Sequence, residues 1–269
     1  MVTDLRSRFG LHAMPFTREL AVKDRFPLAI FDEAIEGLHE TLDQRMSCAL
    51  IAPAGTGKTS VLRAVIDRLP EARYRVHYVK VTGLSKRDMC REIAQTLGLA
   101  PAGTYPSLVR KVQDHFLQSA DADALRPVLI LDEAHDLRPE TLSMLRVLTN
   151  FDMDCRLVLS IVLCGQPKLR ELLRRDDLEA VARRLAHYAT LRSLSRDEVE
   201  SYVEHRCTIA GSVTVPFDPG ALDALFEIGR GNLRATDQLA RKTLDLAHKD
   251  NQDVCGAAHV ARARKLLWP

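Results

Sequence analysis

The residues Ala52-Pro53-Ala54-Gly55-Thr56-Gly57-Lys58-Thr59 follow a short apolar run, Cys48 to Ile51, and open into a helix-forming segment, Val61 to Leu69. A strand, a glycine-bearing loop and a helix start together make a phosphate cradle. Backbone N–H groups at the helix N-terminus point at an anion, and the helix dipole favours negative charge. Here Lys58 would reach the outer phosphates of a nucleotide and the Thr59 hydroxyl would bind Mg²⁺, with Ala54, Gly55, Thr56, Gly57 and Ser60 lining the cradle. The pattern departs from G-x-x-x-x-G-K-[ST] at its first position, where Ala52 replaces glycine. Alanine fits there if the local φ is negative. A glycine turn with a surface lysine is the plain alternative, and the flanking strand and helix weigh against it.

A second run answers the first. Val128-Leu129-Ile130-Leu131 leads into Asp132-Glu133-Ala134-His135. A buried parallel strand reads as a continuous apolar run, and open α/β sheets place ligands outside the carboxyl ends of their strands. Asp132 would hold a metal ion through water, and Glu133 would act as general base on an attacking water. An acidic turn after an ordinary strand is the alternative, and it loses weight beside a phosphate loop.

The 269 residues suffice for one large domain, or one with a small companion, and a 46% hydrophobic content supports a packed core. A net charge of +2 neither demands nor excludes a local basic face. The cysteines Cys48, Cys90, Cys155, Cys164, Cys207 and Cys255 form no C-x-x-C pair and read as thiols, several of them buried. The polar start Met1-Val2-Thr3-Asp4 and the lack of an apolar stretch of ~20 residues predict no signal peptide, no membrane span and a cytoplasmic setting.

Along the chain, Phe9-Gly10-Leu11 and Met14-Pro15-Phe16 form an apolar, turn-rich segment expected to pack on the core near a nucleotide base. A helix is predicted over 30–45 from apolar spacing. A strand follows over 74–81, then a helix capped by Ser85 that stops at Gly98, and helices over 107–117 and 139–148. A strand is expected over 156–163, a mostly helical stretch over 168–185 and a last strand over 187–191. Alternation of this kind implies an α/β fold with a parallel sheet flanked by helices. From Ser195-Arg196-Asp197-Glu198, a capping box, the pattern becomes all-helical, with further helices from Asp218-Pro219, over 233–248 and over 257–267. The expected division is a nucleotide-binding core, 1–194, and a helical domain, 195–269. Trp268 reads as part of a loosely packed terminus.

No L-S-G-G-Q signature is present, which disfavours an ABC transporter ATPase. Asp132-Glu133-Ala134-His135 spells the acidic box of some helicases, but those carry two large catalytic domains. A nucleotide core followed by a small helical lid resembles the AAA+ ATPases, and the resemblance implies a P-loop NTPase fold that hydrolyses ATP to ADP and phosphate with Mg²⁺. It further implies that Gln166 senses the γ-phosphate, although Asn or Thr is usual there. It places the arginine that reaches a neighbouring subunit's site at Arg184, with Arg183 as second choice, and a nucleotide-contacting lid arginine at Arg234. Within this group the chain resembles the ExeA-like and TnsC/TniB/MuB-type ATPases. Phe9-Gly10-Leu11 with Pro15-Phe16, Leu131 to His135, Leu163-Cys164-Gly165-Gln166-Pro167-Lys168-Leu169 and the Arg184 and Arg234 neighbourhoods carry that resemblance. It implies a regulator of DNA transposition that selects target and activates a transposase, assembling on double-stranded DNA as a homo-oligomeric ring or helical filament, with no membrane partner. Lys80, Lys86 and Arg87 would touch DNA, and Arg110 and Lys111 are further candidates. The alternative is an ExeA-like protein-remodelling or signalling ATPase without DNA contact.

Overall fold

The structure, a computed structural model, describes residues 4–81 and 83–268. The polar start at Met1 to Thr3 lies outside them. The chain divides into two compact units, residues 29–54 with 58–191 and residues 1–28 with 55–57 and 192–269.

The first unit is built on five strands: β1 (Ser47–Ile51), β2 (Tyr74–Lys80), β3 (Arg126–Asp132), β4 (Ser160–Gly165) and β5 (Leu185–Thr190). All pair in parallel, in the order β2-β3-β4-β1-β5. Burial follows that order. Every residue of β1 and β4 is buried, and all of β3 but its first. These are the strands whose sequences run apolar without a break, as a sheet covered on both faces requires. The edge strands β2 and β5 mix buried and exposed residues. Helices Ala29–Asp43, Lys58–Arg68, Lys86–Thr96, Tyr105–Asp121 and Pro139–Leu148 accompany the sheet. Phe116, Leu108, Ile93 and Leu142 bury completely in the cluster that also holds Leu129, Leu131 and Leu163. From β1 the chain crosses to β2 at one edge, and from β4 to β5 at the other. The carboxyl ends of β1 and β4 therefore frame the crevice where such sheets take ligands.

Two expectations in this unit are corrected, and the mostly helical stretch resolves into shorter pieces. The strand predicted over 156–163 begins only at Ser160, because Arg156 pairs with Asp121 and bridges Phe151, closing a loop instead of entering the ladder. The stretch over 168–185 is not one helix. It breaks into Lys168–Leu173, a 3₁₀ turn at Asp176–Leu178 and Glu179–Ala182. Arg175 folds onto Asp177 there at 2.9 Å, and aspartates favour caps and turns over helix interiors. The helix predicted over 107–117 is longer, Tyr105–Asp121, with Pro106 in its first turn where no intrahelical donor is lost.

The second unit holds helices Arg196–Ile209, Pro219–Gly229, Leu233–Lys249 and Ala257–Leu267. Ser195 and Glu198 close the expected capping box, and Asp218 and Asn232 cap the next two starts through their side chains. The N-terminal segment belongs here and not on the α/β core. Phe9, Leu11, Phe16 and Phe26 bury among Val203, Leu225, Leu239 and Leu244. Arg206, 4% exposed, donates to the Thr17 carbonyl at 2.7 Å and to the Tyr202 hydroxyl at 2.8 Å, with its guanidinium 5.8 Å from the Phe16 ring centre. A buried cation needs this much compensation. The second unit is thus made from both ends of the sequence, where a single cut after residue 194 was expected.

Candidate nucleotide site

The phosphate loop leaves β1 at Ala52, whose amide donates to the Gly165 carbonyl at 3.0 Å and so fixes the ends of β1 and β4 to each other. Gly55 and Gly57 have φ of +76° and +100°, which L side chains rarely adopt. A Cβ on Gly55 would also collide with the Asn232 side chain. The loop tip Gly55–Gly57 groups with the helical unit, where the Arg234 amide donates to the Gly55 carbonyl at 3.2 Å. Lys58 opens the following helix and is buried, 9% exposed, with its ammonium donating to the Ala52 and Pro53 carbonyls at 3.0 Å each. Thr59 and Ser60 lie in the first turn of that helix.

At the end of β3 the two carboxylates differ. Asp132 is 9% exposed and held from several sides. Its Oδ2 accepts from the Tyr78 hydroxyl at 2.6 Å, and its Oδ1 accepts from the Glu133 amide at 2.9 Å. Cys164 also hydrogen-bonds it, and burial first, then this carboxylate, pushes the Cys164 thiol well above its usual range. Tyr78 is raised for the same two reasons in the same order. Glu133 instead sits in left-handed backbone, φ +58° and ψ 32°, a conformation that costs a non-glycine residue about 1–3 kcal/mol. Its Oε2 is buried without a hydrogen-bond partner. One carboxylate is thus immobilised, as a metal ligand should be. The other offers an unengaged oxygen, as a base acting on water should.

These residues suit a nucleotide with a divalent cation. A buried ammonium rests on loop carbonyls, two loop glycines hold left-handed backbone, and Glu133 Oε2 has no hydrogen-bond donor. When bound, the cation would neutralise charge on the outer phosphates. Lys58, Thr59 and Asp132 would be the groups to hold the pair.

Gln166, half-buried just after β4, donates its backbone N–H to His135 Nδ1 at 3.3 Å. Arg184 lies elsewhere in the α/β unit. It pairs with Asp154 at 2.6 Å in a cleft of about 370 Å³ lined by Gln113, Arg146, Val147, Asn150, Asp154 and Arg184, none of them a phosphate-loop residue. That hydrogen bond holds the Asp154 carboxyl below its ordinary range. Arg183 is far more open, 77% exposed, and pairs one helical turn back with Glu179 at 2.6 Å. Arg234 is exposed in the first turn of Leu233–Lys249. Lys80 ends β2 in register with Asp132, while Lys86 and Arg87 begin the next helix, Arg87 donating to the Gly103 carbonyl at 3.1 Å. Tyr78, Asp154 and the contacts of His135 were not foreseen. Only the β2–β3 and β3–β4 registers and the loop before β4 bring them into place.

A parallel sheet in this order, with a lysine-bearing phosphate loop after β1 and an acidic pair after β3, defines a P-loop NTPase. Residues 40–173 match the family described as AAA domain. General secretion pathway protein A of Aeromonas hydrophila is 32% identical over 240 residues, covering 88% of this chain and 43% of that protein. The chain therefore spans about two fifths of that relative's length. Among solved structures, Cdc6p from Pyrobaculum aerophilum superposes with a TM-score of 0.75 at 17% identity, over 93% of this chain and 70% of that one. ORC1 from Aeropyrum pernix, solved in complex with DNA, gives 0.69 at 20%, over 94% and 68%. The RuvB Holliday junction branch migration motor of Thermotoga maritima gives 0.59 at 18%, over 88% and 67%. The chain has the P-loop NTPase fold, and its residues 40–173 form the AAA domain of an ATPase. Among the described residues no helix is long and apolar enough to cross a membrane.

Proposed function

We propose that this ATPase binds ATP with Mg²⁺, assembles with copies of itself as a ring or helical filament along double-stranded DNA, and regulates transposition by presenting target DNA to a transposase in the cytoplasm. The observation that carries the DNA reading is the run of cations at the end of β2 and the start of the following helix, Lys80, Lys86 and Arg87, on a chain whose net charge is only +2. A modest patch of this kind becomes effective when many subunits repeat it on one duplex, because linked contacts gain from effective concentration. In this reading Glu133 activates water, Gln166 senses the γ-phosphate, Arg234 contacts the nucleotide, and Arg184, or else Arg183, serves the neighbouring copy. The likeness to an ORC1 solved with DNA supports the same direction.

The test is fluorescence anisotropy on labelled duplexes of increasing length, with a slowly hydrolysed ATP analogue or ADP, over a salt series. Binding should require the ATP analogue, grow with length and ignore sequence. Each phosphate neutralised should add roughly 0.9 to the slope of log affinity against log salt. A Lys86→Ala, Arg87→Ala double variant should lower that slope and leave nucleotide affinity unchanged. Equal affinity with ADP, or no binding to long duplex at low salt, would favour a second reading, a protein-remodelling ATPase without DNA contact. The 32% identity to General secretion pathway protein A favours that one.

A further inference from the structure

The carboxyl ends of β3 and β4 meet through one imidazole. The His135 side chain is only 8% exposed. Its Nδ1 faces two groups: the Gln166 N–H at 3.3 Å and Glu133 Oε2 at 3.4 Å. An amide N–H can only donate, so Nδ1 accepts, and the ring hydrogen lies on Nε2, 3.7 Å from Asp136 Oδ1. In that tautomer a nitrogen lone pair faces the Glu133 oxygen. No hydrogen lies between them, and Oε2 remains buried without a donor. Were the hydrogen on Nδ1, the ring would clasp Glu133 and release the Gln166 amide. The two arrangements exclude each other.

We propose that His135 is a positioning residue that links the end of β4 to the catalytic carboxylate: while the Gln166 backbone N–H holds the ring, Glu133 is left unclasped and able to take a proton from water. The proposal rests on the reading of Glu133 as the base. Close packing makes the link stiff. A Cβ on Gly165 would approach the His135 backbone nitrogen to 3.2 Å, so β4 and the turn after β3 are in direct contact. Gly165 is in turn bonded to Ala52 at the root of the phosphate loop. A displacement of that end of β4 reaches Glu133 through one ring.

The test compares His135→Asn and His135→Leu in the full chain. Asparagine offers Oδ1 to the Gln166 N–H, while leucine fills the space and accepts nothing. Steady-state ATP hydrolysis gives kcat and KM, and a fluorescent ATP analogue gives nucleotide affinity. His135→Leu should lose at least tenfold in kcat with unchanged nucleotide affinity, and His135→Asn should recover most of it. In a Glu133→Gln background His135→Leu should cost nothing further, since no base remains to be placed. Nitrogen-15 spectra of histidine-labelled protein should show His135 with its hydrogen on Nε2. Wild-type kcat in His135→Leu, an equal loss in His135→Asn, an additive loss in the Glu133→Gln background, or a hydrogen on Nδ1 in the nucleotide-free protein would each overturn the coupling. The ring-tautomer measurement holds even if His135→Leu fails to fold. Wild-type hydrolysis by Glu133→Gln alone would instead remove the base reading, a separate outcome.

Discussion

Glu133 and Lys58 ask different things of the nucleotide, and their variants should separate. Glu133→Gln keeps the size and the left-handed backbone but removes the base, so ATP affinity should hold while hydrolysis falls by about 10²–10⁴-fold. Lys58→Ala removes the ammonium itself, so binding should weaken. Equilibrium binding beside steady-state turnover distinguishes the two. Asp154 offers a third test. Its carboxylate occupies the Arg184 guanidinium at 2.6 Å, so Asp154→Asn should free that arginine and raise hydrolysis at protein concentrations where copies meet. A lower rate at every concentration would mean that the pair serves only to shape the loop. The residues of the phosphate loop and the acidic turn could be picked out from sequence because their chemistry is local: eight contiguous positions and four. Tyr78 and Asp132 are 54 positions apart, Gln166 and His135 are 31 apart, and Arg184 and Asp154 are 30 apart. Nothing in the spacing pairs them, because the pairing depends on which strands become neighbours.

Strands and helices repeat that contrast. The central strands were legible because burial on both faces demands unbroken apolar sequence. The start of β4 was misplaced because Arg156 to Leu159 carries the same β-branched and apolar residues while its arginine is held by Asp121. Helix starts were legible wherever a side chain caps them. Ser195 is the clearest, and Ser195→Ala should cost about 1 kcal/mol in denaturant unfolding. Its partner Glu198 is drawn down to about 2, first by Arg192. The edge strand β2 carries a pH liability. His77 packs against Phe116 and His115, and burial first, then His115 and Arg75, lowers its pKa from 6.5 to about 4. The folded chain therefore resists a proton that the unfolded chain accepts. Stability should be intact above pH 6.5 and decline as pH falls from there toward 4. Thermal melts across that window should show the decline, and His77→Phe, which keeps the ring contact, should flatten it.

Across the whole molecule the question is whether one copy suffices. Arginines supplied by a neighbour are worth roughly 10³–10⁵ in rate in GTPases. Arg184→Ala should bind nucleotide and lose most hydrolysis, and mixing it with Lys58→Ala should restore part of the activity, since mixed interfaces join an intact loop to an intact arginine. No recovery at any mixing ratio would point to Arg183 or to a site complete within one chain. The helical unit has a consequence of another kind, in time. Its cluster needs Phe9 and Phe16 from the beginning of the chain and the helices after Arg192 from the end. At about 5–20 residues per second, a ribosome takes on the order of ten seconds between the two. The sheet can be complete before Phe9 and Phe16 have anything to pack against, so for that interval the segment that carries them is an exposed apolar tether, a place for a chaperone to hold or for two nascent chains to join.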